Sequence, residues 1–372
     1  MSICLVMIVK NEEHVIQRSL EAALPAVDSW VIVDTGSTDS TMEKIREITT
    51  RLNVPGQLHQ RPWVNFGHNR SEALALAREE GRGAGWWSLM LDADDILTAP
   101  KREQRTPFLQ HNPLAQCFTI SIRRANLSYR RPILFNNALP WKFAGAVHEY
   151  AECPGATHQN PQLPLPEPFF LDARCEGARS LDPLKYQRDA ELLEQELATN
   201  PNDTRSMFYA AQSYRDCGNR EKARYWYTKR AGAGGWAQEQ YVCLLNLMRM
   251  TESLEEKFTL AWRALEICPQ RLECSHDVLK FTRMRSAWSQ QAIALAEVSR
   301  KLGASKANPD WLFVHSEVYD YEFDDEMAIH AYYLKRDDIS APASFRALAK
   351  APPAQQARIR ANYEFSLKRL AN

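Results

Sequence analysis

The sequence predicts an α/β domain on a mostly parallel sheet, followed by an all-α region of helical repeats. Three observations predict it. Short apolar runs (Ile3–Val9, Trp30–Val33 and Trp86–Leu91) alternate with helix-spaced segments in the first third of the chain. Strands buried on both faces and separated by helices form parallel sheets. Each of these runs ends in a polar cluster, and ligands bind at that edge of open α/β sheets. From about Asp182 the strand signal gives way to amphipathic helices broken by short turns.

Taken in order, Ile3–Val9 is a core strand that stops at Lys10-Asn11-Glu12-Glu13. His14–Leu24 carries Val15, Ile16, Leu20 and Leu24 at helical spacing and ends before Pro25. Trp30–Val33 is a second strand, leading into Asp34-Thr35-Gly36-Ser37-Thr38-Asp39-Ser40. Ser37 or Thr38 can cap the following helix, Met42–Leu52. A weaker strand lies near Gln57–Gln60, then a helix over Asn69–Glu80 with Ala73, Leu74 and Ala77 on one face. Trp86–Leu91 runs into Asp92-Ala93-Asp94-Asp95. Cys117–Ile122 and Ile133–Phe135 read as further strands, and the proline-rich Pro154–Pro168 as a connecting loop.

The second half reads as helices Leu184–Ala198, Thr204–Asp216, Glu221–Arg230 and about Glu239 to Met250. Phe208-Tyr209-Ala210-Ala211-Gln212-Ser213-Tyr214, a glycine turn and Ala223-Arg224-Tyr225-Trp226-Tyr227 have the grammar of a tetratricopeptide unit. The domains expected are therefore 1–180 and 181–372. Tyr225-Trp226-Tyr227 could support a homodimer or fill the repeat core.

Composition bounds the function. With 46 basic and 46 acidic residues the formal net charge is zero, so bulk charge favours neither a nucleic-acid polymer nor an anionic membrane. The 8 cysteines include no CxxC pair, which disfavours a paired-cysteine zinc site, and Cys4 reads as a buried thiol. The N-terminal apolar run is too short to span a bilayer and lacks a basic leader or cleavage site. A reducing, cytoplasmic location and no membrane span are the expectations.

The chemistry concentrates on the acidic triplet. Asp92 and Asp94, two apart at a strand end, suit a hard divalent cation, Mn²⁺ or Mg²⁺, which neutralises a diphosphate while using one or two protein carboxylates. Asp clusters also build turns and helix caps. Asp34 could accept the imide N–H of a uracil or thymine ring, or serve only the turn before Gly36. Arg70, at the start of its helix, could hold phosphate or base alongside free helix N–H groups, or be an ordinary surface arginine.

Four segments carry a resemblance: Ile8-Val9-Lys10-Asn11-Glu12-Glu13, Val33-Asp34-Thr35-Gly36-Ser37-Thr38-Asp39-Ser40-Thr41, Asn69-Arg70-Ser71-Glu72-Ala73-Leu74 and Leu91-Asp92-Ala93-Asp94-Asp95. In order and spacing they resemble the inverting family 2 glycosyltransferases, which have the GT-A fold. Gly177-Ala178-Arg179-Ser180, Lys185-Tyr186, Phe208–Tyr214 and Gly234-Gly235-Trp236 resemble the subgroup with C-terminal tetratricopeptide repeats. The resemblance implies a nucleotide-sugar donor, most simply UDP-linked. It implies nucleotide-sugar contacts at Val9, Asn11, Glu12, Asp34, Asn69, Arg70, Asp92 and Ala93. Asp94 and Asp92 would be metal and diphosphate ligands, with Asp94 the more direct.

Trp141–Glu149 resembles the family's late His-Glu element. An inverting transfer needs a base to take the acceptor proton. Glu149 is the candidate, with His148 assisting it or touching the metal and phosphates; alternatively the two are an orienting pair. The Glu-Asp base element of many family members has no counterpart in the expected stretch. Arg179 would reach the diphosphate or act as a hinge residue. The acceptor implied is a peptide or protein, a glycan, or a hydroxymethylated DNA base. The alternative from another class is a non-catalytic scaffold built on a decayed transferase domain.

Overall fold

The computed structural model describes residues 2–371 apart from 80–81, 105–111, 113–114, 125–126, 157–160, 175, 284 and 309–310. The expected end of one helix at Glu80 lies outside the described residues. The chain forms two compact units, Met1–Glu196 and Leu197–Asn372.

In the first unit, strand β1 (Ser2–Val9) lies between β2 (Ser29–Asp34) and β4 (Trp86–Met90), with β3 (Gly56–Gln60) outside β2. These four strands are parallel. Alternation along β1 explains its unbroken apolar text, because the strand feeds two cores. Ile3, Leu5, Met7 and Val9 face helices α1 (Ile16–Ala23) and α2 (Thr41–Arg51), through Ile16, Leu20, Ile45 and Ile48. Cys4, Val6 and Ile8 face helix α3 (Phe66–Glu79) through Ala73, Leu74 and Ala77. Fully burying each Val, Leu, Ile or Met side chain among these contributes about 1.5–3 kcal/mol.

Beyond β4 the sheet becomes mixed. The order continues through β7 (Leu127–Asn136), β6 (Cys117–Arg124), β11 (Phe170–Ala173) and β5 (Asp95–Thr98). β7 is antiparallel to both β4 and β6, and β11 is antiparallel to β5. The expected loop Pro154–Pro168 is corrected in part: Gln162–Pro164 forms a short strand, β10, beside β6. A separate hairpin joins β8 (Lys142–Ala144) to β9 (Tyr150–Glu152).

In the second unit, helices α5 (Thr204–Asp216) and α6 (Arg220–Gly232) form the expected repeat pair. Asp203 and Asn219 cap them by accepting N–H groups of the first turn. Phe208, Ala211, Tyr214, Ala223 and Tyr227 make their shared core. Tyr227 is thus repeat core, while Tyr225 is half exposed. Helices α7 (Ala237–Met250), α8 (Leu254–Ile267), α9 (Glu273–Thr282) and α10 (Ser289–Leu302) follow, then Phe323–Tyr333, Asp337–Lys350 and Pro353–Leu370. The repeats are TPR-like. No helix among the described residues is long and apolar enough to cross a membrane.

Candidate active site

β1 sits between β2 and β4, so the polar clusters that end these three strands share one edge of the sheet. Asp34 closes β2 in register with Val9. It is wholly buried, and its Oδ1 accepts N–H groups from Gly36 and Ser37, both at 3.0 Å. Its Oδ2 is buried with no hydrogen-bond partner among the described residues. Leaving such an acceptor unsatisfied is costly in a folded protein.

The neighbouring loops are knitted together. Asn11 adopts φ 57°, donates its N–H to Ser37 Oγ at 2.9 Å and accepts from Thr38 N–H at 2.7 Å. Thr35 donates to the Val9 carbonyl through both N–H and hydroxyl. The expected cap is corrected here: Ser37 and Thr38 hold the β1 loop, and Asp39 accepts the Thr41 N–H at the start of α2.

Arg70 is the electrostatic centre of the site. It projects from α3, nearly buried, and its Nη2 bonds Asp92 Oδ1. Its Nε lies 2.6 Å from Glu149 Oε1, a charge contact without the alignment of a hydrogen bond. Burial alone would weaken Arg70's hold on its proton, but Asp92 and Glu149 more than compensate and raise it. Asp92 shows the converse: burial would raise its carboxyl, yet Arg70 and Arg131 hold it down at about 2.

Arg131 was not legible as a site residue. From β7 it donates to Asp95 Oδ2 at 3.1 Å and lies 3.6 Å from Asp92 Oδ2. Asp95, the spare carboxylate of the sequence, is buried at the start of β5 and accepts the Asp92 N–H. Burial, then the nearby Asp92, pushes its carboxyl up to about 7. Ala93 is buried between the two ion pairs' anchors.

Close backbone approach places Glu149. A Cβ on Gly67 would sit 2.5 Å from the Gly145 carbonyl oxygen, so only glycine lets α3 reach the β8–β9 hairpin. Ser71 Oγ accepts the Phe143 N–H at 2.8 Å, fixing the same contact. The hairpin loop then carries His148, exposed and at φ 52°, and Glu149 beside Arg70.

A strap over Glu176–Ala178 meets the acidic edge. Gly177 donates its N–H to Asp94 Oδ2 at 2.9 Å, and Ala178 donates to Glu12 Oε2 at 3.1 Å. A Cβ on Gly177 would meet both Glu12 oxygens at 3.2 Å. Burial, and then the proximity of Asp94 and Asp92, raise Glu12 to about 7 despite the Ala178 bond.

Two predicted residues turn inward. Asn69 is wholly buried; its Oδ1 accepts from Val64 N–H and its Nδ2 donates to the Pro62 carbonyl, so it shapes the loop ahead of α3. Arg179 bonds Asp189 and stacks 4.1 Å from the Phe66 ring centre, tying helix α4 (Lys185–Thr199) to the start of α3. Among the described residues no three His, Cys, Asp or Glu side chains are grouped to hold a metal ion unaided.

Residues 4–161 match the family described as Glycosyl transferase family 2. The N-terminal domain belongs to that family. A TPR repeat-containing protein of Synechococcus elongatus is 30% identical over 155 residues, 40% of this chain. The match spans about a third of that relative, 35% of its length. S. aureus TarS 1-349 in complex with UDP is 12% identical, covering 90% of this chain and 92% of its own, with a TM-score of 0.38. MamA is 13% identical, covering 45% of this chain and 88% of its own, with a TM-score of 0.35. Neither structural likeness is close enough to bear on the site of this glycosyltransferase domain.

Proposed function

We propose that the chain is a metal-dependent inverting glycosyltransferase that takes a UDP-linked sugar as donor. The observation that carries this reading is Asp34 Oδ2, a wholly buried acceptor without a partner among the described residues, at the sheet edge where the strand-end clusters meet. A uracil ring offers one imide N–H donor to complete it. Asn11 and Val9 frame the same loop, so they would border the base and ribose.

The donor set fits a hard divalent cation. Asp94 gives one oxygen to Gly177 and keeps the other, and Glu12, raised first by burial and then by Asp94 and Asp92, lies on the same acidic edge. Mn²⁺ or Mg²⁺, held by Asp94 with Asp92 behind it, would neutralise the charge of the departing diphosphate. Arg70 and Arg131 fix Asp92, and Glu12 supports Asp94's side of the edge. Glu149, held against Arg70, would take the acceptor proton as the acceptor attacks opposite the diphosphate. His148, next to it, would orient the acceptor or reach the metal and phosphates. Arg179 would complete the diphosphate contacts only by leaving Asp189. A peptide or protein, a glycan and a modified DNA base remain the acceptor classes, with a cytoplasmic setting the simplest.

The test is a hydrolysis screen of purified protein with Mn²⁺ against a panel of nucleotide sugars, read by mass spectrometry. Hydrolysis of at least one UDP-sugar is expected. No turnover and no binding across the panel would favour a non-catalytic scaffold instead.

A further inference from the structure

The second unit carries a pocket that the transferase site does not use. It has a volume of about 330 Å³ and is lined by Met248, Arg249, Lys257, Asp277, Lys280 and Phe281, from helices α7, α8 and α9. Lys257 is one of the lining residues and only 4% exposed. Its Nζ donates to the Met248 carbonyl at 2.7 Å and sits 3.7 Å from the Phe281 ring centre. An ammonium has three N–H donors, and burying one short of partners is unfavourable. Burial, the largest influence, holds Lys257 below the usual lysine range.

Three more cations surround it. Lys280, exposed on α9, has no carboxylate partner among the described residues. Arg285, outside the lining, packs 4.2 Å from the Phe281 ring centre. Arg249 is neutralised by Asp277, at 2.5 Å. Of the acids that favour a charged Lys257, Glu252 is exposed, Asp277 in the lining pairs with Arg249, and Glu256 pairs with Arg224. Lys257 and Lys280 therefore bring positive charge from two helices to one small cavity with an apolar wall.

We propose that this pocket is an anion site for the phosphate group of an organophosphate, held by Lys257 and Lys280, with Arg285 beside Phe281 adding positive charge from outside the lining. A tetrahedral phosphate presents oxygens in several directions, matching donors from different helices, whereas a planar carboxylate is satisfied by one guanidinium. Phe281 and Met248 offer the carbon portion an apolar surface.

Amine footprinting of the full chain tests this locally, without reading activity. The acetylation rate of Lys280 is measured by mass spectrometry at matched ionic strength, with exposed Lys301 as the internal reference. Inorganic phosphate should slow Lys280 several-fold, and glycerol 3-phosphate should do so at lower concentration. Lys257→Met should abolish the protection, and Arg285→Gln, which removes a neighbouring charge at an exposed position, should weaken it several-fold. An unchanged Lys280 rate, or protection that survives both substitutions, overturns the site. Equal protection by malonate overturns the phosphate assignment, and glycerol 3-phosphate no better than phosphate overturns the organic part. Because the readout is confined to the helical unit, loss of transferase activity leaves it unaffected.

Discussion

Replacing Arg70 by Met probes the hub of the site. The guanidinium is nearly buried and faces both Asp92 and Glu149. Removing one partner of a buried ion pair typically costs about 3–5 kcal/mol, because the remaining charge is stranded. Arg131 still lies 3.6 Å from Asp92, so the low end, about 3 kcal/mol, is expected. Part of this is pH-dependent. Asp92 is held at about 2 against an ordinary 3.8, worth about 2 kcal/mol at ~1.4 kcal/mol per tenfold change in proton affinity. A third of its side chain is exposed, and screening reduces that to about 1–2 kcal/mol. Its folded carboxyl is depressed, so the contribution is fully present above the unfolded value and is lost as pH falls through about 2. Urea titrations read by hydrogen exchange on peptides from Phe66–Glu79 would isolate the local effect. The gap between wild type and Arg70→Met should be about 3 kcal/mol at neutral pH and should narrow in strong acid. Equal stability at neutral pH, or a gap that does not change with pH, would refute the hub.

Two further variants examine the carboxylates around it. Glu12 is raised from 4.5 to about 7; the folded state keeps a proton that the unfolded chain releases, so stability falls as pH rises through that window. In EDTA, Glu12→Gln should gain about 1–3 kcal/mol over wild type at pH 8 and nothing at pH 4; thermal unfolding at the two pH values decides it, and a pH-independent difference contradicts it. Glu149→Gln should slow transfer by roughly 10²–10⁴-fold with donor affinity little changed; steady-state kinetics beside a donor titration check this, and a normal rate removes Glu149 as the base.

Much of this architecture was legible because local and global signals agree. β1, β2 and β4 read as buried strands since each feeds a core on both faces, and Thr204–Asp216 carries its cap, Asp203, in the sequence itself. The acidic edge was visible because each cluster directly ends an apolar run. Arg131 was not, since Arg130, Arg131 and Pro132 interrupt the alternation of β7, and its partner Asp95 lies 36 residues earlier, at the start of β5. Asp95 looked spare because burial depends on the antiparallel pairing of β5 with β11, a long-range contact. The strap at Gly177 and Ala178 acts through backbone N–H groups, which leave no side-chain signature. At Asn69 a polar residue at a helix start suggests a ligand contact, while the partners of its amide lie in the chain before it.

The most direct test of the nucleotide site is calorimetric titration of UDP into the protein with and without Mn²⁺, for wild type, Asp34→Ala and Asp94→Ala. Wild type should bind UDP more tightly with Mn²⁺. Asp34→Ala should lose about 10–100-fold in both conditions, the worth of one buried charged hydrogen bond, and Asp94→Ala should bind identically whether or not Mn²⁺ is present, with its fold intact. A wild type that binds no UDP, or variants that match it in both conditions, would contradict the assignment.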